Sequence, residues 1–189
     1  MSSLIVNPQR HKASMDDRLP LKMRQYFKTN QSNFPLDTRI VGLDYEEFIR
    51  EGNRPSSTLS ELKIPKKLVW MRALGELGDD PQIHKCVAAW ASDWGVGVTP
   101  MKAVGSSFVS PEVRMCCSLD HAMWFNGDFR ADEWMLYEME GIQFAGGRGV
   151  SSGRIYDQEG NMKVHVTQEI LIRYKPGTEY PKFDKTLQW

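Results

Sequence analysis

The stretch MKVHVTQEILIRY, residues 162–174, alternates apolar and polar side chains and predicts one long β-strand. The apolar set, which this alternation places on one face, is Met162, Val164, Val166, Ile170, Ile172 and Tyr174. The opposite set is mostly polar and comprises Lys163, His165, Thr167, Glu169 and Arg173. A strand with this pattern is half buried, so the rest of the domain must supply a core on its apolar side.

Gln168 interrupts the apolar series, because it has the parity of the buried face. A buried side-chain amide without partners costs roughly 1–3 kcal/mol, so some other group must bond to it. One interpretation is structural, with the amide tied to a neighbouring backbone group. The other is functional, with the amide placed in an apolar pocket to hold a water molecule or a substrate atom. The strand by itself leaves both open.

Composition narrows the class of protein. The chain has 189 residues, no formal net charge and three cysteines, two of them adjacent at Cys116 and Cys117. The balanced charge argues against binding to nucleic acid or to a membrane surface by charge alone. The cysteines form no disulfide framework and fit a reducing compartment. No apolar run reaches the roughly 18 residues of a membrane span and no secretory signal is visible, so we expect a soluble intracellular protein.

We expect four segments along the chain. They are a polar tail or linker (1–35), a linker with a short strand and a turn (36–66), the main domain (67–175) and a C-terminal tail (176–189). The first segment is predicted to bury little and to hold a short helix between Met15 and Phe27. The second is predicted to contain a strand, a helical turn and a loop, namely Thr38–Leu43, Asp44–Arg50 and Asn53–Ser60.

The main domain is predicted to have an α+β layout. A strand from Leu68 to Leu77 precedes a helix from Gln82 to about Ser92, with Asp80 as N-cap and Pro81 at the first helical position. Its apolar residues at helical spacing are Ile83, Val87, Trp90 and Ala91, with Ala88 and Ala89 beside them, which indicates a helix enclosed by a sheet. Four strands follow, Glu112–Phe125, Glu133–Glu140, Arg148–Tyr156 and the final one, so we expect an antiparallel sheet around one helix.

Two further polar residues lie in apolar settings and could accompany Gln168. Asp93 follows the end of the helix, where negative charge gains little without a specific partner, and the structural alternative is an exposed carboxylate at a fraying end. Ser118 lies among apolar and thiol side chains, and the structural alternative is a serine bonded to a backbone carbonyl.

Other chemistries find little support in the sequence. Asp120 and His121 could form half of a triad, but adjacent strand residues point to opposite faces and no nucleophile elbow is present. We therefore interpret His121 as structural or substrate-lining. His84, His165 and the cysteines lack zinc-site spacing, and no phosphate-binding glycine loop is seen, so we expect neither a metal nor a cofactor.

Several strings resemble the second half of the type-II acyl-CoA thioesterases. They are CVAAWASD (86–93), SLDHAMWF (118–125), FRADEWMLY (129–137), GRG (147–149) and Gln168-Glu169, and the resemblance extends from about Val69 to Arg173. It implies a hot-dog fold, a curved antiparallel sheet wrapped around a central helix. It also implies hydrolysis of fatty acyl-CoA to a free acid and coenzyme A, without a metal or a covalent intermediate.

In that family an Asp, a Ser or Thr and a Gln hold and activate the attacking water. By position these match Asp93, Ser118 and Gln168. Desolvation beside Trp90 and Trp94 is expected to make Asp93 a stronger base, suited to taking a proton from water. The thioester oxyanion would need backbone N–H donors that the sequence does not identify.

The sequence also departs from the family pattern. Family members carry two hot-dog halves and only the second is matched here, so we expect a sheet edge and a helix flank to be uncovered and a homodimer or higher homo-oligomer to cover them. The C-terminal Leu187-Gln188-Trp189 is not the Ser-Lys-Leu peroxisomal signal, so peroxisome and cytosol are both expected locations. The alternative function is a non-catalytic module that binds acyl chains or pairs with a full-length thioesterase.

Overall fold

The computed structural model describes residues 12, 15–19, 21–29, 34–42, 66–104, 106–108, 110–178 and 183–184. Within this part of the chain, seven strands form one antiparallel sheet. The sheet curls around one main helix, Pro81–Ser92, and this confirms the expected hot-dog arrangement. No helix among the described residues is long and apolar enough to cross a membrane.

Most elements lie where the sequence predicts them, but the limits of some strands differ. The helices are α1 (Leu21–Thr29) and α2 (Pro81–Ser92), and a 3-10 helix spans Thr99–Val104. The strands are β1 (Leu36–Ile40), β2 (Lys66–Ala73), β3 (Val113–Phe125), β4 (Met135–Ala145), β5 (Arg148–Tyr156), β6 (Met162–Tyr174) and β7 (Phe183–Asp184). Their order in the sheet is β1-β2-β4-β5-β6-β3, with β7 beside β4. Strands β5 and β6 have the predicted limits, whereas β2 ends four residues before the predicted Leu77 and β4 extends five residues beyond the predicted Glu140. Strand β7 was not predicted, because two residues carry no periodicity.

Strand β6 is an interior strand next to the end of the sheet, since it pairs with β5 on one side and with the terminal strand β3 on the other. Its alternation is as predicted: the apolar residues from Val164 to Tyr174 are buried, and Gln168 lies among them with 1% of its surface exposed. Met162 is the exception at 40% exposure, because it begins the strand beyond the edge of the core.

Helix α2 begins as predicted, with the Asp80 carboxylate accepting a hydrogen bond from the Gln82 N–H at 2.9 Å. The expected buried face is only partly right. The buried residues are His84, Ala88, Ala91 and Ser92, whereas Ile83 and Trp90 are 42% and 49% exposed. Small side chains let the helix approach the sheet closely. The larger ones project from a flank that stays partly exposed, although the Phe34 ring packs against Trp90 there.

The segments before the main domain differ in part from expectation. Met15 is helical, but the chain leaves the helical conformation at residues 16–19, and α1 then runs from Leu21 to Thr29, two residues beyond the predicted Phe27. Leu19 and Met23 are buried, so the prediction that this segment buries little is wrong for these two residues. Strand β1 begins at Leu36, two residues before the predicted start at Thr38, and pairs with β2 at the edge of the sheet. The predicted turn at Asp44–Arg50 and the loop at Asn53–Ser60 lie outside the described residues.

Candidate active site

A β-bulge in β3 decides which side chains face Gln168. Ser118 pairs with Ile170 and His121 pairs with Gln168, so Leu119 is an extra residue between two regular stretches of the ladder. Strict alternation would put residues three apart on opposite faces, but the bulge brings both Ser118 and His121 to the inner face.

The bulge has a side-chain support of its own. The backbone N–H of Glu169 donates to Asp120 Oδ1 at 3.1 Å, on the strand opposite the extra residue. At a bulge, the irregular pairing of the strands can leave a backbone N–H without a carbonyl partner, and a carboxylate that accepts from this N–H replaces the missing hydrogen bond. Asp120 thus lies outside the cluster around Gln168 and contributes to it through the backbone.

The three residues singled out by the sequence meet. The Gln168 Nε2 atom donates to Asp93 Oδ1 at 2.7 Å and to Ser118 Oγ at 2.7 Å. The Ser118 hydroxyl lies 3.4 Å from Asp93 Oδ1, as a long hydrogen bond. Asp93 is at the C-cap of α2, Ser118 is on β3 and Gln168 is on β6, so three elements distant in sequence converge on one point.

The cluster extends beyond these three side chains through His121 and Ser92. His121 Nδ1 lies 2.9 Å from Gln168 Oε1, and its Nε2 lies 2.8 Å from Ser92 Oγ. Ser92, the last residue of α2, is fully buried, and its carbonyl accepts a hydrogen bond from the Tyr137 hydroxyl at 2.8 Å. A chain of polar contacts therefore ties the end of α2 to β3, β4 and β6.

The burial of the site differs from expectation at the carboxylate. Gln168 is 1% exposed and the His121 side chain 23%, but the Asp93 side chain is 63% exposed. The expected desolvation of Asp93 beside the two tryptophans is wrong for the single chain. Trp90 and Trp94 pack instead against the Phe34 ring, at centroid distances of 5.5 and 4.4 Å. The carboxylate is thus open to water, and the amide beneath it is not.

The surroundings of the cluster raise the pKa values of two neighbouring side chains, Tyr137 and Cys116. Burial raises the pKa of Tyr137, and the negative charge of Asp93 raises it further, so the phenol stays a donor to the Ser92 carbonyl. Burial raises the pKa of the Cys116 thiol, and the nearby Cys117 and Asp93 add to the effect. Both groups favour their neutral forms beside the carboxylate.

The remaining histidines lie elsewhere. His84 bridges loops, with Nε2 at 3.0 Å from the Gly78 carbonyl and the Ala131 N–H donating to Nδ1 at 3.0 Å. His165 lies outside the core and stacks on Trp124 at 5.3 Å. In the part of the chain that the structure describes, no three His, Cys, Asp or Glu residues are grouped so that they could hold a metal ion.

Sequence reasoning missed two members of the cluster. His121 was interpreted as structural or substrate-lining, and Ser92 was not singled out, because a serine at a helix end is ordinary. The available signal was the position of His121 in the same string as Ser118. Only the bulge places His121 on the same face as Ser118, and the sequence does not reveal the bulge.

This fold and this polar cluster define the class of protein, a hot-dog domain with a carboxylate, a hydroxyl and an amide at the end of its helix. The family model described as acyl-CoA thioesterase matches residues 48–171. The chain therefore belongs to the acyl-CoA thioesterase family.

Particular relatives are similar over part of their length. Acyl-coenzyme A thioesterase 8 of Mus musculus is 40% identical over 145 residues, which are 76% of this chain and 44% of the mouse protein. Acyl-CoA thioesterase 2 of Haemophilus influenzae is 30% identical over 113 residues, 59% of this chain and 39% of that protein. The chain thus spans less than half the length of these curated relatives.

A solved structure agrees with this assignment. The crystal structure of the acyl-CoA thioesterase II TesB2 from Mycobacterium marinum superimposes with a TM-score of 0.56 at 35% sequence identity. The match covers 76% of this chain and 51% of that one. The similarity therefore confirms the hot-dog fold and concerns about one half of the larger protein.

Proposed function

We propose that this chain hydrolyses fatty acyl-CoA thioesters to a free fatty acid and coenzyme A, with a water molecule activated by Asp93, Ser118 and Gln168. The observation that carries the proposal is the convergence of these three side chains from three elements, with Gln168 Nε2 at 2.7 Å from both partners. Membership of the acyl-CoA thioesterase family supplies the substrate class.

The geometry suggests a division of roles. Both hydrogens of the Gln168 amide nitrogen are used by Asp93 and Ser118, so Gln168 orients these two groups and they hold the water. Asp93 Oδ2 accepts no hydrogen bond from a described residue and is free to take a proton from the water. The water oxygen then forms a bond to the thioester carbonyl carbon, the C–S bond breaks, and the proton passes to the departing thiolate.

We further propose that a second copy of the chain completes the site. Strand β3 is at one end of the sheet, and Met115, Leu119, Trp124 and Phe125 on it are each more than a third exposed. The flank of α2 with Ile83 and Trp90 is exposed as well. An uncovered sheet edge beside an apolar flank favours association, and a partner there would exclude water from the Asp93 carboxylate.

The test is an assay for free thiol released from acyl-CoAs of several chain lengths, with purified protein. We expect Asp93→Asn to lower kcat at least about 100-fold, because the general base is lost while the shape is kept. The matched control is Asp128→Asn, which changes an exposed carboxylate for which the structure gives no contact. Wild-type kcat in Asp93→Asn, with the same melting temperature, would contradict the proposed mechanism.

The alternative is a non-catalytic module that binds acyl chains or pairs with a full-length thioesterase. The 63% exposure of the Asp93 side chain favours it, because an exposed carboxylate is a weaker base than a desolvated one. The same assay separates the two functions. Saturable binding of an acyl-CoA without thiol release would support the module and exclude the hydrolase.

A further inference from the structure

We propose that His121 is a positioning residue that fixes the orientation of the Gln168 amide, and that Ser92 in turn anchors His121. This inference rests on the proposed function in its kinetic part only, because the orientation of the amide can be observed in an inactive protein. It adds a fourth and a fifth residue to the three that the family pattern supplies.

The argument begins at the amide. One end of the Gln168 side chain lies 2.7 Å from Asp93 Oδ1 and from Ser118 Oγ. An ionised carboxylate only accepts hydrogen bonds, so the nitrogen must face it and the carbonyl oxygen must face away. That oxygen, Oε1, lies 2.9 Å from His121 Nδ1. His121 must therefore carry a hydrogen on Nδ1 and donate it.

The imidazole ring is held at its second nitrogen as well. Nε2 lies 2.8 Å from Ser92 Oγ. In the neutral ring with its hydrogen on Nδ1, Nε2 accepts the Ser92 O–H, and the hydroxyl then does not donate to the Ala89 carbonyl, which also lies 2.8 Å away. Ser92 is fully buried and precedes Asp93 directly. Ser92 therefore contacts the His121 ring and also fixes the backbone from which Asp93 extends.

Removing the donor has a defined consequence. Without His121 Nδ1–H, the Gln168 carbonyl oxygen loses its partner and the amide gains freedom to turn over. A turned amide would direct an oxygen toward the Asp93 carboxylate and withdraw the donor from Ser118, and both changes misplace the groups that hold the water. A residue that acts only through the Gln168 amide leaves substrate binding unchanged, so we expect the loss in kcat and not in KM.

The kinetic experiment compares three variants. We expect His121→Leu to lower kcat by about 10- to 100-fold with KM unchanged, because a misplaced catalytic group costs on that order. His121→Asn offers an N–H donor close to the position of Nδ1 and should restore most of kcat. The control is His165→Leu, which changes the other β-sheet histidine, on the outer face beside Trp124. Wild-type kcat in His121→Leu, or a His121→Asn variant as slow as His121→Leu, would overturn the inference.

A spectroscopic experiment tests the same point without activity. In the ¹⁵N spectrum of the wild-type protein we expect His121 Nδ1 to be protonated, and we expect the two Gln168 side-chain amide protons to shift in His121→Leu and not in His165→Leu. An unprotonated Nδ1, or unchanged Gln168 amide signals in His121→Leu, would refute the positioning role. If the wild type releases no thiol, the proposed function fails alone and the spectrum still decides the role of His121.

Discussion

At the scale of single residues, Gln168 meets a different partner on each side of its amide group. Its position was predictable from parity along 162–174, and Asp93 and Ser118 were predictable from their apolar settings together with the family resemblance. Negative charge at a helix C-terminus is unfavourable unless a specific group contacts it, and for Asp93 that group is the Gln168 amide nitrogen at 2.7 Å. The exposure of Asp93 was not predictable, because it depends on what covers α2 and not on its neighbours in sequence.

Gly97 provides a test of how tightly the amide is held. A Cβ atom at this position would lie 2.5 Å from Ile170 Cγ2 and 3.2 Å from Gln168 Nε2. We expect Gly97→Ala to lower the free energy of unfolding by about 1–3 kcal/mol through overpacking, and to lower kcat as well because the amide is pushed. Thermal melting and the thiol-release assay measure the two effects.

The control for Gly97→Ala is Gly149→Ala. The three atoms nearest to its Cβ would be Ile170 Cγ1 at 3.2 Å, Phe144 Cδ2 at 3.3 Å and Pro100 Cγ at 3.4 Å, none of which belongs to Gln168. This variant should therefore lower stability with a smaller effect on kcat. Equal losses of kcat at equal stability in both variants would show that Gly97 acts through packing alone.

At the scale of elements, the bulge in β3 is the feature that alternation could not predict. The lengths and limits of β5 and β6 followed from period-two patterns, and the start of α2 followed from Asp80 and Pro81. An extra residue such as Leu119 leaves no mark in composition, because its effect appears only when two strands pair. The predicted buried face of α2 is wrong in part because a hydrophobicity pattern gives most weight to large apolar residues. The residues that pack closest to the sheet are small ones, which such a pattern does not single out.

Asp132 links the two loops that precede α2 and β4. Asp132 accepts hydrogen bonds from the Leu77 N–H at 3.0 Å and from Arg130 at 2.9 and 3.0 Å. The Arg130 guanidinium lowers the pKa of Asp132 from its ordinary value near 3.8 to about 2. A carboxyl with a depressed folded pKa stabilises the fold above its unfolded pKa and loses that contribution as pH falls through the folded one.

We therefore expect the Asp132 contribution to be present above about pH 4 and to disappear as the pH falls toward about 2. Denaturant midpoints across that window should fall less steeply for Asp132→Asn than for the wild type. The control is Asp128→Asn, whose exposed carboxylate forms no hydrogen bond or ion pair with a described residue. Parallel pH profiles for the wild type and Asp132→Asn would contradict the assignment.

At the scale of the whole molecule, the described residues form one hot-dog unit whose β3 edge pairs with no further described strand and whose α2 flank is partly exposed. The fold class followed from one helix and a series of alternating strands. The open flank followed from the match to one half of a double family. The partner could not be predicted from residues of this chain, because association depends on surfaces and a sequence pattern describes one chain at a time.

A substitution on the open flank of α2 tests the proposed homo-oligomer. Ile83 is 42% exposed, so Ile83→Glu should leave the folded chain intact while placing a charge in the proposed interface. We expect light scattering to show a shift from dimer to monomer, together with a lower kcat. Gln82→Glu, on an exposed position of the same helix, is the matched control. A dimer of unchanged stability in Ile83→Glu would place the interface elsewhere.

The most direct test of the central claim is the kcat of the double variant Asp93→Asn/Gln168→Leu beside its two single variants. Residues that act as one unit around one water lose most of the rate at the first substitution. The account therefore predicts that the double variant is about as slow as the slower single variant. A double variant slowed by the product of the two single effects would show that Asp93 and Gln168 act independently, and would contradict the account.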